Sequence, residues 1–214
     1  MSASDFTLYG YFRSSAAFRV RIALNLKGIA ADQRFVHLRK NEQFNPDYLK
    51  LNPQHLIPTL AHQGNAIAQS IAIMEYLDEV QPTPPLLPAD PAGRAKVRAL
   101  SLAIACDIHP LNNLRVLRHL QGMGLQEDQR TDWQRHWIAE GFAALEQELK
   151  ARAGRFCHGD APTMADCCLV PQMTNARRSD MDLSPYPSLL AIEQACYQLP
   201  AFTDARPENQ PDAE

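Results

Sequence analysis

Two neighbouring serines, Ser14 and Ser15, stand where the apolar pattern of the first helix begins. The backbone N–H groups at a helix start have no partner inside the helix, and the helix dipole favours an anion there. A serine hydroxyl at this point can donate a hydrogen bond to a thiolate and so lower the pKa of the thiol towards neutrality. Serine is also a common N-cap residue. The residue types therefore leave two interpretations open, an anion site that activates a thiol and a plain helix cap.

A second candidate segment runs from Asn52 to Leu60, where Pro58 begins a predicted strand and cannot donate to the sheet ladder. If the Ile57–Pro58 peptide bond is cis, Ile57 turns its own N–H and C=O outward, where they can pair with a peptide ligand. The sequence does not show whether this bond is cis or trans. An ordinary proline at the start of a strand explains Pro58 equally well.

A third candidate is the polar pair Gln69 and Ser70 at the start of another predicted helix. The serine hydroxyl and the first backbone N–H groups can bind a carboxylate. A helix cap explains the same two residues equally well. Each segment is a weak signal alone, but the three in this order form a consistent set.

The elements that must position these segments alternate between strand and helix. Parallel strands joined through helices and then a closing hairpin form the thioredoxin arrangement. The first helix carries Arg19, Arg21 and Lys27, which we assign to its wetter face, although one of them could turn inward. The predicted order is β-α-β-α-β-β-α, with a strand at 6–10, a helix from Ser14–Ser15 to about Gly28, a strand at 33–38, a short helix at 45–52, a hairpin at 57–68 and a helix at 70–80.

In a thioredoxin-type fold the start of the first helix meets the sulfur of the substrate. A redox enzyme of this fold carries Cys-x-x-Cys there, whereas this chain has Ser14, Ser15, Ala16 and Ala17. The chain offers no dithiol at this point, so any sulfur chemistry must use a thiol that a ligand brings.

Five prolines between Gln81 and Pro91 mark a domain boundary, because such density forbids a helix and stiffens the chain. We predict a thioredoxin-like domain at 1–81, a proline-rich linker at 82–91 and an all-helical domain with an acidic tail at 92–214. The helical periodicity of this last part covers 93–121, 129–152, 163–178 and 187–198.

Charge and cysteine content exclude several classes of function. The formal net charge of -3 comes from the acidic tail, 201–214, which we predict to be solvated and without a role. A neutral body argues against nucleic acid as a partner, and no apolar run approaches the roughly 20 residues of a membrane span. The five cysteines show no Cys-x-x-Cys spacing and no zinc pattern. They are typical of small buried groups in a reducing compartment, so we expect a cytoplasmic protein.

The run Tyr11–Leu24, with Ile57–Leu60 and Gln69–Ser70, closely resembles the zeta-class glutathione transferases, whose members isomerise maleylacetoacetate and maleylpyruvate. The likeness continues through 107–113, 163–166 and 182–187 and so covers nearly the whole chain. In one departure, Ala16 replaces the cysteine of the usual Ser-Ser-Cys signature. The resemblance assigns the activating hydroxyl to Ser14, so the chemistry should survive, without side reactions that depend on that cysteine.

The resemblance implies that glutathione lies along the N-terminal domain with its sulfur facing Ser14. Ile57 would pair with the cysteinyl backbone, and Gln69 with Ser70 would hold the γ-glutamyl carboxylate. Asp107 would either reach the glutathione of a neighbouring subunit, since the family forms homodimers, or have a buried structural role. The implied glutathione-binding residues are Ser14, Ser15, Gln43, His55, Ile57, Pro58, Gln69, Ser70 and Asp107.

The substrate implied by the resemblance is a small cis-enedioic acid with a keto group. Addition of a thiolate turns its double bond into a single bond that can rotate, and expulsion of the thiolate leaves the trans isomer. Two carboxylates need cations, and the planar fork of arginine suits them, although a solvent salt bridge explains any single arginine. The expected substrate-binding residues are Arg13, which would also take part in catalysis beside Ser14, and His109, Asn113, Arg115 and Arg178, with Arg177 as a competitor for the last place.

Two other functions remain open, a conjugating or dehalogenating glutathione transferase and a non-catalytic binding protein of the same fold. The pair Arg13 and Ser14 favours an enzyme, and the arginines favour a dicarboxylate over an apolar electrophile. Tyr9 or Tyr11 could replace Ser14 as the group that activates the thiol, although Tyr9 falls within a predicted strand. The sequence does not choose between maleylpyruvate and maleylacetoacetate.

Overall fold

The computed structural model describes residues 5–151 and 154–214. The chain divides into two compact units, one formed by Met1–Leu86 together with Tyr197–Glu214, the other by Leu87–Cys196. We call them the N-terminal unit and the helical unit. The division falls inside the predicted linker, but the C-terminal residues join the N-terminal unit instead of the helical one.

The N-terminal unit is built on a four-stranded sheet with the strand order β2-β1-β3-β4. Strand β1 pairs with β2 in parallel and with β3 antiparallel, and β3 pairs with β4 antiparallel. The predicted order of elements is confirmed, although β2 starts and ends earlier than the apolar alternation indicated. The elements are β1 (Phe6–Gly10), α1 (Ser15–Lys27), β2 (Asp32–Phe35), α2 (Pro46–Leu51), β3 (Thr59–His62), β4 (Asn65–Ala68) and α3 (Ser70–Val80).

Helix α1 begins and ends at the predicted residues. The Ser14 side chain accepts a hydrogen bond from the Ala17 N–H, and Gly28 ends the helix with a φ of 64°, which favours glycine. The assignment of the basic residues to a wet face is wrong, because Arg19, Arg21 and Lys27 are all buried. Buried cations need acceptors, and all three donate to groups far away in the sequence.

The helical unit contains helices alone among its described elements. The single helix predicted at 93–121 is wrong, because α4 passes into a π-helical turn, Ala103–Ile108, and a 3-10 turn before α5 begins. Pro110 explains the break, since proline has no N–H to continue the ladder. The helices are α4 (Pro91–Leu102), α5 (Leu114–Gly122), α6 (Glu127–Lys150), α7 (Met164–Arg178) and α8 (Pro187–Cys196).

Two close contacts fix the packing inside the helical unit. A Cβ atom at Gly141 of α6 would lie 2.3 Å from the Ile108 side chain, so only glycine allows the π-helical turn to approach α6. At the start of α7, the fully buried Asp166 carboxylate accepts from the N–H groups of Cys157 and Thr163 at 2.8 and 2.7 Å. The pKa of Asp166 is raised, because the effect of burial exceeds the lowering effect of these hydrogen bonds.

The prediction of a solvated tail is wrong. A short helix, α9 (Pro200–Thr203), packs on α1, with the Phe202 side chain fully buried. Ala205, Pro207 and Gln210 are buried as well, although the charged residues Arg206 and Glu208 lie between them. The burial of these residues was not predicted, because each buried stretch is short and the charged residues between them dominate the composition.

No helix of the described residues is long and apolar enough to cross a membrane.

Candidate functional site

The sheet register brings the three candidate segments to one edge. Tyr9 of β1 lies beside Thr59 of β3, and Thr59 lies beside Ala68 of β4. From this row the chain continues into the turn that leads to α1, into the Ile57–Pro58 loop and into the start of α3. Neighbouring strands lie about 4.8 Å apart, so the three segments meet within a span of roughly 10 Å. The structure therefore brings the three candidate segments together.

A tight turn from Tyr11 to Ser14 connects β1 to α1, and the Ser14 N–H donates to the Tyr11 carbonyl at 2.9 Å. We call residues 11–14 the catalytic turn. Its Ser14 hydroxyl accepts from the Ala17 N–H at 3.2 Å, which is the capping role. A hydroxyl accepts and donates at once, so the Ser14 hydrogen is still available for a ligand. Ser14 and Arg13 are half-buried, whereas Ser15 is buried.

The nearby tyrosines are poor candidates for the thiol-activating group. Tyr9 lies inside β1, as predicted. The Tyr11 side chain is buried in a cluster with Phe12, Val36 and Ile57. Burial raises the pKa of Tyr11, against the lowering effect of Arg39 and Arg13. The phenol therefore stays neutral at pH 7 and is enclosed in the core.

The peptide bond between Ile57 and Pro58 is cis, which the sequence left open. The Asn52 amide holds this loop, because it donates to the Leu56 carbonyl at 2.8 Å and to the Thr59 hydroxyl at 3.1 Å. The Tyr48 hydroxyl also donates to the Leu56 carbonyl. Ile57 lies outside the paired residues of β3, so its backbone is placed beside the sheet edge and not in the ladder.

The start of α3 adds a buried cation that we did not predict. Ser70 is buried, and its hydroxyl accepts from the Arg19 guanidinium of α1 at 3.2 Å. Gln69 has a φ of 72° and its exposed amide donates to Gln54 at 2.9 Å. A hydroxyl with a guanidinium behind it, at a helix start, suits a carboxylate. The apolar face on both sides of Arg19 was the only hint of its burial.

Gln43 lies in a 3-10 turn, Glu42–Phe44, and His55 lies in the loop that leads to β3. Gln43 is buried, and its Oε1 atom has no hydrogen-bond partner. His55 has a φ of 47°, and its ring lies 4.9 Å from the exposed Phe44 ring. A buried amide oxygen without a donor is an expensive feature, so Gln43 is a candidate ligand contact.

The helical unit holds the other predicted residues. Asp107 is exposed in the π-helical turn, and His109 follows it in a half-buried position. Asn113 is the N-cap of α5, where its side chain accepts from the N–H of the exposed Arg115 at 3.0 Å. The four residues thus share one short stretch of chain, and Asn113 has a capping role that sequence reasoning missed.

Two arginines end α7, and the structure separates their roles. The Arg177 guanidinium pairs with both carboxylate oxygens of Glu193, which is buried on α8. Arg178 is exposed at the end of the same helix. Arg177 is therefore committed to packing α7 against α8, which favours Arg178 as the candidate for ligand binding.

All five cysteines belong to the helical unit, so they are distant in sequence from the catalytic turn. Cys106 is exposed, which corrects the expectation that all five are buried. No group of His, Cys, Asp and Glu within 5–151 and 154–214 could hold a metal ion.

Comparison with known proteins gives the family. The N-terminal domain model of glutathione S-transferase matches residues 4–79, and the C-terminal domain model matches residues 127–195. A probable maleylacetoacetate isomerase of Vibrio cholerae is 50% identical over 96% of this chain and 97% of the relative.

Two solved structures are similar over nearly all of both chains. The holo structure of a maleylpyruvate isomerase, a bacterial zeta-class glutathione S-transferase, is 46% identical with a TM-score of 0.95, covering 97% of this chain and 100% of the other. A maleylacetoacetate isomerase of Anaeromyxobacter dehalogenans, solved with dicarboxyethyl glutathione and citrate in its active site, is 44% identical with a TM-score of 0.88 and full coverage of both chains. This chain therefore belongs to the glutathione S-transferase family, within its zeta class.

Proposed function

We propose that the chain is a glutathione-dependent cis–trans isomerase that converts maleylpyruvate or maleylacetoacetate to the fumaryl isomer. The observation that carries the proposal is the meeting, at one sheet edge, of the Ser14 hydroxyl, the cis Ile57–Pro58 loop and the Ser70–Arg19 pair. A redox enzyme would place its own thiol there, and this chain places hydroxyls and amides. The names and ligands of the zeta-class relatives support the same assignment.

The residues at this edge fit glutathione, an anionic tripeptide with one thiol. The Ile57 backbone lies beside the sheet, where it can pair with a peptide. Ser70, with Arg19 behind its hydroxyl, suits the γ-glutamyl carboxylate. The buried Gln43 Oε1 atom lacks a donor, and a peptide N–H would supply one. The peptide groups and the γ-glutamyl carboxylate of the ligand thus have matching groups on the protein.

Bound glutathione would supply the thiolate that adds to the alkene and then leaves it. The task of the chain is to hold that sulfur as an anion. The Ser14 hydroxyl donates to it, and the dipole of α1, 13 residues long, favours negative charge at the same point. Each tenfold gain in the ionised fraction corresponds to about 1.4 kcal/mol of preferential stabilisation of the anion.

The substrate carboxylates need positive partners. Arg13 lies in the catalytic turn next to Ser14 and is half-buried, so it is the first candidate. Arg178 is the second, because its neighbour Arg177 is held by Glu193. Bidentate pairing of an arginine with a carboxylate would help to orient the double bond for attack.

The experiment is an isomerisation assay with each maleyl substrate, with and without glutathione. We expect loss of the cis isomer only when glutathione is present, and slower conjugation of a chlorinated nitrobenzene. Efficient conjugation without isomerisation would replace the proposal by a general transferase. Glutathione binding without isomerisation or conjugation would indicate a non-catalytic binding protein of the same fold.

We further propose a homodimer that works in the cytoplasm. Asp107 is exposed, and the family forms homodimers. Both facts support a role for this residue near the partner subunit. The five free cysteines suit a reducing compartment, where glutathione also stays reduced. Light scattering of the purified protein tests the dimer, since a monomeric mass would contradict it.

A further inference from the structure

The last residues of the chain reach the catalytic turn. The carboxylate of Asp212 accepts a hydrogen bond from the Phe12 N–H at 2.9 Å, across 200 positions of sequence. We call residues 205–214 the C-terminal strap. The strap lies in the same compact unit as the turn, so this contact is internal to the N-terminal unit.

A second link joins the strap to the same residue of the turn. The buried Arg21 guanidinium donates to the Phe12 carbonyl at 3.2 Å and to the Ala205 carbonyl of the strap at 3.0 Å. Both peptide groups that flank Phe12 are therefore held, the N–H by Asp212 and the carbonyl through Arg21. These contacts fix the orientation of the middle of the turn.

The strap is itself rigidly built. The buried Gln210 amide donates to the carbonyls of Asp204 and Arg206 at 2.9 and 2.8 Å. At the chain end, the Glu214 carboxylate pairs with the His37 ring at 2.9 Å. A mobile tail would form none of these contacts, so the strap can serve as a fixed support.

The turn that the strap supports determines the position of the Ser14 hydroxyl. Ser14 follows Phe12 by two residues, and its own N–H closes the turn on Tyr11. Rotation of the peptides around Phe12 would tilt both the Ser14 hydroxyl and the start of α1. Catalytic groups tolerate little displacement, since an error of about 1 Å can cost roughly a hundredfold in rate.

We propose that the C-terminal strap positions the catalytic turn, with Asp212 as a positioning residue for Ser14. Asp212 touches no reacting atom in this account and acts through the Phe12 peptide. The proposal rests on the proposed function in two respects, the role of Ser14 towards the glutathione sulfur and the choice of reaction used to measure it.

The test compares Asp212→Ala and Asp212→Asn with wild type. Alanine removes the acceptor, whereas asparagine keeps an oxygen that can accept from the Phe12 N–H. We expect kcat to fall by about tenfold in the alanine variant, within the loss that misplacement can cause, and to recover largely in the asparagine variant. The KM for glutathione should change much less than kcat.

A spectroscopic readout separates positioning from folding. The ultraviolet absorbance of bound thiolate, followed against pH, gives the pKa of the glutathione thiol on the enzyme. We expect Asp212→Ala to raise this pKa by about half a unit to one unit, because a tilted Ser14 stabilises the anion less. Glu208→Ala is the matched control, since Glu208 is an exposed strap carboxylate that pairs with Arg206.

Each result has a defined meaning. A raised thiol pKa in Asp212→Ala, with asparagine rescue and an unchanged Glu208→Ala enzyme, supports the proposal. A lowered melting temperature with an unchanged thiol pKa and kcat in Asp212→Ala would overturn it, because the contact would then only stabilise the fold. If wild type binds glutathione without isomerising a maleyl acid, the proposed function fails, whereas the thiol titration still decides the role of Asp212.

Discussion

Three substitutions at Ser14 separate the capping role of its side chain from the chemical one. The Ser14 oxygen accepts from the Ala17 N–H at 3.2 Å, and loss of such a cap costs about 1 kcal/mol of stability. A hydrogen bond to a charged group is worth about 1.5–3 kcal/mol, which corresponds to roughly ten- to hundredfold in rate. Ser14→Ala should lose both. Ser14→Gly should keep most of the stability of the helix start but lose the hydroxyl, because glycine is itself an acceptable N-cap residue, and Ser14→Thr should keep both.

The assay pairs urea denaturation with kcat for maleylpyruvate and maleylacetoacetate at saturating glutathione. We expect Ser14→Gly to unfold at nearly the wild-type urea concentration while its kcat falls as far as that of Ser14→Ala. If Ser14→Gly instead retains wild-type kcat and bound-thiol pKa, the hydroxyl is not the activating group. An unstable but fully active Ser14→Ala enzyme would likewise leave Ser14 as a cap alone.

The remaining predictions concern the support of the site and its cations. Lys27→Met should lower the free energy of unfolding by about 3 kcal/mol, because it leaves the largely buried Asp78 carboxylate without its cation, while Lys50→Met, which breaks an exposed pair, should hardly change it in the same urea titration. Burial raises the pKa of Tyr48, so the phenol prefers to be neutral in the fold. The stability from this group should be complete below about pH 10 and be lost as the pH rises further, a loss that thermal melts of Tyr48→Phe should not show. Arg178→Gln should raise KM for the maleyl acid by about tenfold without affecting a chlorinated nitrobenzene, whereas Arg177→Gln should mainly lower the melting temperature; equal kinetic losses on both acceptors would make Arg178 structural.

The order of elements in the N-terminal unit could be predicted because local signals agree there. Ser14 and Gly28 suit the two ends of α1, and the short apolar run of β1 ends at a glycine, as suits a buried strand. The three ligand segments were also predictable, since each combines a special residue type with the end of an element. The sheet register then brought them to one edge, as the order of the strands implies.

The support behind these segments could not be predicted, because its partners are distant in sequence. Arg19 is buried against Ser70, and Arg21 is buried between Phe12 and Ala205. A basic residue in a helix looks solvated unless its acceptors are known.

The acidic tail was misjudged for a related reason. Its anchors are single small or apolar residues such as Ala205, and the decisive contact is one carboxylate, Asp212, on one backbone N–H. Composition averages over such contacts and therefore predicts solvation.

The helix break at Pro110 was missed for a different reason. The proline is evident in the sequence, but helical periodicity on both sides of it favoured one continuous helix.

The claim on which the whole account depends is that the reactive sulfur comes from a tripeptide seated at the N-terminal sheet edge. Calorimetric titration of reduced glutathione into the wild-type protein at pH 7, in two buffers of different ionisation enthalpy, measures both binding and proton release. We expect saturable binding with release of close to one proton per site, because the bound thiol ionises. Absence of binding, or binding with no proton release, would contradict the account.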